Sequence, residues 1–469
     1  MMIKHQHFIN REAELEFLER EYKAQRPSFV IIYGRRRIGK TELIRVFCSN
    51  KPHIYFLADK SPPKLNIRRF LDSASEQLRV DLFKGVEAED WETAVNLVLR
   101  LKESKEKLVL VFDEFPYLVE ADRNTPYVFQ RIWDLHLSRR HDVMLVLIGS
   151  SISMMESLLG YRSPLYGRRT GQWKLTEVPL RSLQEFLPRY EPDDLVRVYG
   201  AVGGVPLYLN LVDDNISFYK NIERLFLYKG GFLYEEAENL LRMELREPKN
   251  YKLILRAIAE GYTRYGEIAS YTGLDKSAIS RYLDVLETLD LVSYELPIFA
   301  SPKAKRRRYY IKDNYFAFWF RYVDPHKPKI EEGRTREVIN YIKKDYETYM
   351  GKIFEKLATK LIATTGTWDK VGKQWGKTKT ETYEIDIVAT NNKNNTLLLG
   401  EAKWSKLNTK EIKTIISNLK KKANHINWRH KDRKEVYAII AREAEEKEAI
   451  QKEHKNVKIY TLTDILKQL

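Results

Sequence analysis

Hydrophobic and polar positions change rhythm several times along the chain. Over roughly the first 175 residues, short apolar runs alternate with helical patterns, which predicts strands at 30–32, 53–57, 108–112, 144–148 and 172–175. A run as apolar as 108–112 reads as a strand buried on both faces, so the alternation predicts a layered α/β sheet with parallel strands. Residues 250–312 have a different texture. Leu253, Ala257 and Ile258 mark one helix, 265–271 a second, and a Thr272-Gly273 turn separates it from a third. Asp275 or Ser277 caps that third helix, which carries Ile279, Leu283 and Leu286 on one face, a helix-turn-helix pattern. An alternating stretch, 291–298, then a basic run at 303–308 and Tyr309-Tyr310-Ile311 predict a β-hairpin wing with a cationic tip. Further on, 383–388 reads as a strand, 391–395 as a polar turn and 397–404 as its paired strand. The run Gly351-Lys352-Ile353-Phe354-Glu355 is expected to open a helix, and 410–422 reads as a basic one.

Charge sharpens this division. The 469 residues carry a net charge of +16, but residues 1–245 hold 36 Lys and Arg against 35 Asp and Glu, while 246–469 hold 45 against 30. The second half is therefore the one expected to meet a polyanion, nucleic acid and most simply DNA. A single cysteine, Cys48, excludes disulfides and a cysteine-built zinc site. No apolar run is long enough to cross a membrane and no signal peptide is evident, so a cytoplasmic protein is expected, with no membrane partner. No internal repeat is seen.

Candidate chemistry sits first at the end of the opening strand. Gly34-Arg35-Arg36-Arg37-Ile38-Gly39-Lys40-Thr41, with Glu42 beginning a helix, has the spacing of a phosphate-binding P-loop. The glycines let backbone N–H groups approach phosphate oxygens, Lys40 reaches the outer phosphates, and the Thr41 hydroxyl suits Mg²⁺. Asp113 and Glu114 end the strand at 108–112. Asp113 is placed to hold Mg²⁺, and Glu114 to orient or deprotonate an attacking water. ATP or ADP with Mg²⁺ is the expected cofactor set. In the basic half, Lys276, Ser277, Ser280 and Arg281 would face a major groove, and Arg306, Arg307 and Arg308 would contact phosphates.

These motifs, together with Phe8-Ile9-Asn10-Arg11-Glu12, Ile148-Gly149-Ser150-Ser151, Pro164-Leu165-Tyr166-Gly167-Arg168-Arg169 and Gly203-Gly204-Val205-Pro206, resemble the archaeal ATPase family. That family is a STAND-like branch of the AAA+ P-loop enzymes, and the resemblance covers about residues 8–325. It implies that Phe8 and Arg11 lie on the adenine side and that Ser150 is a sensor residue. It also implies that Pro206 marks the turn into a helical lid close to the nucleotide. Arg168 and Arg169 occupy the place of an arginine finger, a role often filled from a neighbouring subunit, so a homo-oligomer is implied. Slow rather than fast hydrolysis also follows from the resemblance.

The last constellation is Asp386, a hairpin, and Glu401-x-Lys403. Strand residues two apart share a face, so Glu401 and Lys403 point the same way and Asp386 can join them from the adjacent strand. Two carboxylates can bind Mg²⁺, and Lys403 can position a water. The order resembles the PD-(D/E)xK nuclease superfamily, and specifically the C-terminal domain fused to archaeal ATPases, with Glu355 matching its helical acid. No proline precedes Asp386, a departure from the short motif. The expected plan is an AAA+ core over 1–178, a helical lid over 179–245 and a winged helix over 246–325. A linker helix over 326–346 and a restriction-endonuclease-like α/β domain over 347–469 complete it.

Overall fold

The computed structural model describes residues 9–81, 85–102, 105–301, 304, 306–378, 381–430 and 432–469. Phe8, Lys303 and Lys305 lie outside them. The chain divides into two compact units, one of residues 1–178 with 205–207, the other of 179–204 with 208–469.

The first unit is built on five strands: β1 (Ser28–Tyr33), β2 (His53–Leu57), β3 (Leu108–Asp113), β4 (Val143–Gly149) and β5 (Gly171–Lys174). All pair in parallel, in the order β2-β3-β4-β1-β5. Burial explains the sequence texture. The three inner strands are buried at every position, whereas edge strand β2 alternates. Side-chain alternation then sorts each inner strand between two cores. Phe29, Ile31, Leu108, Leu110, Phe112, Leu145 and Leu147 enter one cluster. Val30, Ile32, Val109, Val111, Met144, Val146 and Ile148 enter the other. A one-residue slip of any inner strand would exchange the two sets, so register is strongly specified.

The second unit begins with short helices, Pro192–Val202, Phe218–Phe226 and Phe232–Glu244 among them. Helices Lys249–Ala259, Tyr265–Thr272 and Lys276–Thr288 follow, then antiparallel strands β6 (Val292–Glu295) and β7 (Arg308–Ile311). Asp275 caps the third helix by accepting from Ser277 N, and Gly273 ends the second at φ +66°. Ile279, Leu283 and Leu286 are buried beneath it. This is the expected winged helix.

A 30-residue helix, Thr335–Thr364, runs through both the expected linker and the start of the expected C-terminal domain. Gly351 therefore opens no helix, and no break falls at 347. Buried residues recur along the whole rod (Val338, Ile342, Tyr346, Tyr349, Ile353, Leu357, Leu361), and this continuous packing outweighs the local cost of one glycine. Beyond it stands a mixed sheet of β8 (Lys370–Lys377), β9 (Thr382–Asn391), β10 (Thr396–Leu407), β11 (Lys434–Ala444) and β12 (Val457–Tyr460), in the order β12-β11-β10-β9-β8. The helix Thr409–Ala423 covers part of it through Ile412, Ile416 and Leu419. Among the described residues, no helix is long and apolar enough to cross a membrane.

Candidate functional sites

The P-loop follows β1 at the C-terminal end of the parallel sheet, where such sheets place ligands. Gly34 (φ +154°) has no room for a side chain, because a Cβ would stand 2.5 Å from the Leu175 carbonyl oxygen. Gly39 (φ +92°) precedes the helix Lys40–Cys48 in a conformation that suits glycine. Between them the loop is braced from beneath. Ile38 is buried in the core, and the buried guanidinium of Arg11 donates to Ile38 O (3.0 Å), Thr176 O (2.8 Å) and Glu14 (2.9 Å). These partners occupy Arg11 in shaping the loop. Lys40 Nζ donates to Gly34 O and Arg35 O, both at 2.9 Å, which curls the loop around its ammonium.

Thr41 Oγ1 donates to Asp113 Oδ2 at 2.9 Å, which brings together the two residues expected to hold Mg²⁺. They offer hard oxygen donors on neighbouring elements, a set that fits this ion. Tyr55, unforeseen from the sequence, also donates to Asp113 Oδ2 from β2. Burial, then Asp113 itself, raises the Tyr55 phenol well above its ordinary range, so it remains a donor. Its signal was the register that sets β2 beside β3, with Leu57 opposite Asp113.

Glu114 adopts a left-handed backbone (φ +53°) at the head of the helix Phe115–Ala121. Ser150 Oγ donates to its carboxylate at 2.7–2.8 Å, and Arg36 lies 3.5 Å from it. Arg36 also donates to the Tyr117 hydroxyl (3.0 Å), and Arg35 pairs with Glu177 (3.3 Å). Arg37 takes a left-handed turn (φ +68°), and Glu42 lies in the first turn of the P-loop helix. Pro206 begins the helix Pro206–Leu211, and its turn groups with the first unit. Arg168 and Arg169 precede β5, whereas the P-loop follows the end of its parallel neighbour β1. They therefore enter at the opposite end of the sheet. Arg168 pairs with Asp134 (2.8 Å), and Arg169 donates to Leu159 O (3.4 Å).

The second constellation assembles on β8, β9, β10 and the long helix. The antiparallel register, with Gly400 opposite Ile387, sets Glu401 opposite Asp386 when carried one step further. Lys403 Nζ lies 2.8 Å from Glu401 Oε1 on the shared face, and Lys422 from the basic helix lies 3.3 Å from Oε2. Asp386 Oδ2 accepts from Ala402 N at 3.1 Å. Burial, reinforced by Glu401 and Glu355 and opposed by the Ala402 amide and Lys373, pushes the Asp386 carboxyl up to about 6. Desolvation works against the Lys403 ammonium. Glu401, Asp386 and Glu355 outweigh it and hold the group above the ordinary lysine value.

Sequence reading missed two lysines here. Lys373 sits where the β8–β9 pairing shifts, between Gly372 and Gln374, and its ammonium pairs with Glu355. A bulge leaves no mark in hydrophobic spacing. Lys422 lay within the expected basic helix, but its partner across the sheet was invisible. Among the described residues, no group of three or more His, Cys, Asp or Glu is placed to hold a metal.

On the winged helix, Lys276, Ser277, Ser280 and Arg281 all lie exposed, opposite the buried Ile279, Leu283 and Leu286. Tyr265 OH lies 3.1 Å from Ser280 Oγ. Arg306 is exposed, and Arg307 stacks over Tyr294 at 4.1 Å. Arg308 departs from the expectation of a phosphate contact. It pairs with Glu384 at 2.9 Å and lies 4.2 Å over the Trp375 ring, so the wing's last arginine faces β8 and β9. Strand β7 begins at Arg308, and its place in that strand turns the side chain to this side.

Comparison with known proteins follows the same division. A family described as an ATPase domain predominantly from Archaea matches residues 8–212. The bacterial regulatory proteins of the arsR family match 252–294, and archaeal and bacterial proteins of unknown function match 319–415. An uncharacterized protein of Methanocaldococcus jannaschii is 36% identical over 449 residues, covering 94% of this chain and 97% of that one. An uncharacterized ATP-binding protein of the same organism is 54% identical over 44 residues, 9% of this chain and 75% of that one. The Walker-type ATPase of Pyrococcus abyssi shares the fold, with a TM-score of 0.53 at 22% identity over 67% of this chain and 96% of that chain. The parallel sheet, its P-loop, the winged helix and the extended match to the methanogen protein make this chain a member of the archaeal ATPase family, with an arsR-type helix-turn-helix and a C-terminal domain of a type whose function is unknown.

Proposed function

We propose that the chain is an ATP-driven switch that binds DNA and carries a metal-dependent nuclease domain. In the first unit, Lys40 and the loop amides would hold the phosphates, and Thr41 and Asp113 would hold Mg²⁺. The ion would supply charge neutralisation on the phosphate chain. Glu114 would orient water, with Ser150 fixing its carboxylate. Arg168 and Arg169 would act only on a neighbouring copy's nucleotide, because they enter at the far end of their own sheet. In the second unit, Lys276, Ser277, Ser280 and Arg281 would meet DNA bases and backbone, with Arg306 and Arg307 on phosphates.

The observation that carries the nuclease reading is the convergence of Asp386, Glu401 and Lys403 beside Glu355. A carboxylate such as Asp386, whose proton affinity is raised by burial and neighbouring carboxylates, gains from a cation. Asp386 and Glu401 would hold the metal, which would polarise the scissile phosphate, while Lys403 would position water. Cleavage assays on linear, circular and single-stranded DNA with Mn²⁺, with and without ATP, test this against Asp386→Ala. Cutting that disappears in the variant is expected. DNA binding without any cutting would sink the nuclease reading.

A second reading has its own support. Lys403 and Lys422 take both oxygens of Glu401, and Lys373 takes Glu355. A domain neutralised in this way would serve an ATP-switched regulator as a silent binding module, and Lys403→Ala would then change nothing.

A further inference from the structure

Between the winged helix and the C-terminal sheet lies a cavity of about 460 Å³, large enough for a nucleotide unit. Its wall includes Glu295 and residues 308–311 of the wing, the helix residues Lys352, Glu355 and Lys356, and Lys373 of β8. Its charges do not cancel. Arg308 is paired with Glu384, Arg321 with Asp345, Arg264 with Glu267 and Lys373 with Glu355. Two lysines are left, against the single carboxylate of Glu295. Lys352 makes no ion pair among the described residues, and Lys356 donates a hydrogen bond to the neutral carbonyl of Ile311 (3.0 Å) while lying 4.5 Å over the Tyr310 ring.

Lys352, Lys356 and Lys360 follow one another at four-residue spacing, so like charges stack along one helical ridge. Burial, opposed by Glu295 and reinforced by Lys360, Lys373 and Lys352, pulls the Lys356 ammonium down to about 8. Desolvation and then Arg321 lower Lys352 as well. A half-buried ammonium, Lys356, held one turn from the exposed Lys352 against mutual repulsion is stabilised by an incoming anion.

We propose that this cavity is a phosphate-binding site founded on Lys352 and Lys356, and that its ligand is the phosphate of a nucleotide, at a DNA strand end or free. The identity of the ligand rests on the nucleic-acid reading above. Glu355 links the two sites, because it lines the cavity and also acts on Asp386. A strand end seated here would therefore lie beside the acid cluster.

The test uses the full chain in metal-free buffer, so that binding is read without cleavage. Probes are labelled single-stranded oligonucleotides with a 5′-phosphate, a 3′-phosphate or neither, and thymidine monophosphate by calorimetry. A terminal phosphate is expected to tighten binding by about tenfold, the scale of one charge-assisted contact. The double variant Lys352→Met/Lys356→Met is expected to erase that gain, whereas Lys356→Arg keeps it. If only the free nucleotide shows this lysine dependence, the site stands and its ligand is the free species. Should the double variant fail to fold, the exposed Lys352→Met alone carries the comparison. Equal binding of the three oligonucleotides together with nucleotide binding that the variants leave unchanged overturns the proposal. A parallel Mn²⁺ cleavage assay separates the two ideas. No cutting with phosphate preference retained removes the nuclease alone, and cutting without phosphate preference removes the cavity alone.

Discussion

Two clusters of carboxylates in this chain are neutralised in opposite ways. Around Asp113 and Glu114 the nearest partners are mostly uncharged hydroxyls, from Thr41, Tyr55 and Ser150, with Arg36 farther off at 3.5 Å. Around Glu401 and Glu355 the partners are ammonium groups, from Lys403, Lys422 and Lys373, while Asp386 accepts from the Ala402 amide. Hydroxyl donors fix the direction of a carboxylate and leave its charge for a cation. Lysines remove the charge, and a metal must compete with them. The first arrangement is laid out at the ends of three parallel strands and the P-loop. The second depends on two helices, three strands and a bulge.

The comparison breaks most sharply at Lys40. Lys40→Ala removes the ammonium that donates to Gly34 O and Arg35 O, and ATP turnover is expected to fall by at least about 100-fold. Steady-state hydrolysis beside ATP binding checks this, and turnover within a few-fold of wild type would sink the assignment. Next in size is Gly34→Ala. Its Cβ would meet a backbone oxygen at 2.5 Å, so a loss on the order of 2–4 kcal/mol is expected. Thermal unfolding measures it, and an unchanged melting temperature would contradict the packing described for the loop.

Asp386 sharpens the contrast through pH. Its folded carboxyl titrates at about 6, above the unfolded aspartate value. Below pH about 4 it is protonated in both states and costs nothing. As pH rises to about 6 the unfolded chain ionises first, so stability in metal-free buffer declines. Asp386→Asn is expected to be near neutral below pH 4 and stabilising above pH 6.5, by on the order of 2–3 kcal/mol. A variant equally or less stable at pH 7 would show that the carboxylate is already compensated. The smallest effect belongs to the wing. A double-mutant cycle on Arg308 and Glu384 is expected to give a coupling of about 0.5–1 kcal/mol, because the pair is partly exposed.

Much of this was legible from spacing. Strands β2 and β5 were expected within a residue of where they stand, and the fully buried β1, β3 and β4 announced themselves by unbroken apolar runs. The hairpin between Asp386 and Glu401 was written in its Asn-rich turn, and alternation alone put Glu401 and Lys403 on one face. Arg11 was assigned to the adenine side, yet its guanidinium is engaged with Ile38 O and Thr176 O, the latter 165 residues away. The linker expected to end at 346 is part of one helix because both halves present buried faces in phase.

Local order was thus settled by the sequence: which segments are strands, where the phosphate loop turns, and which neighbours share a face. These follow from periods of 2 and 3.6 residues and from glycine's backbone freedom, all short-range properties. Only the tertiary structure decided that Tyr55 meets Asp113, that Lys373 meets Glu355 at a bulge, that Arg308 turns to Glu384, and that two lysines of one helix line a cavity with the wing. Each of these depends on strand order, register shifts and the packing of distant segments, which no local pattern encodes.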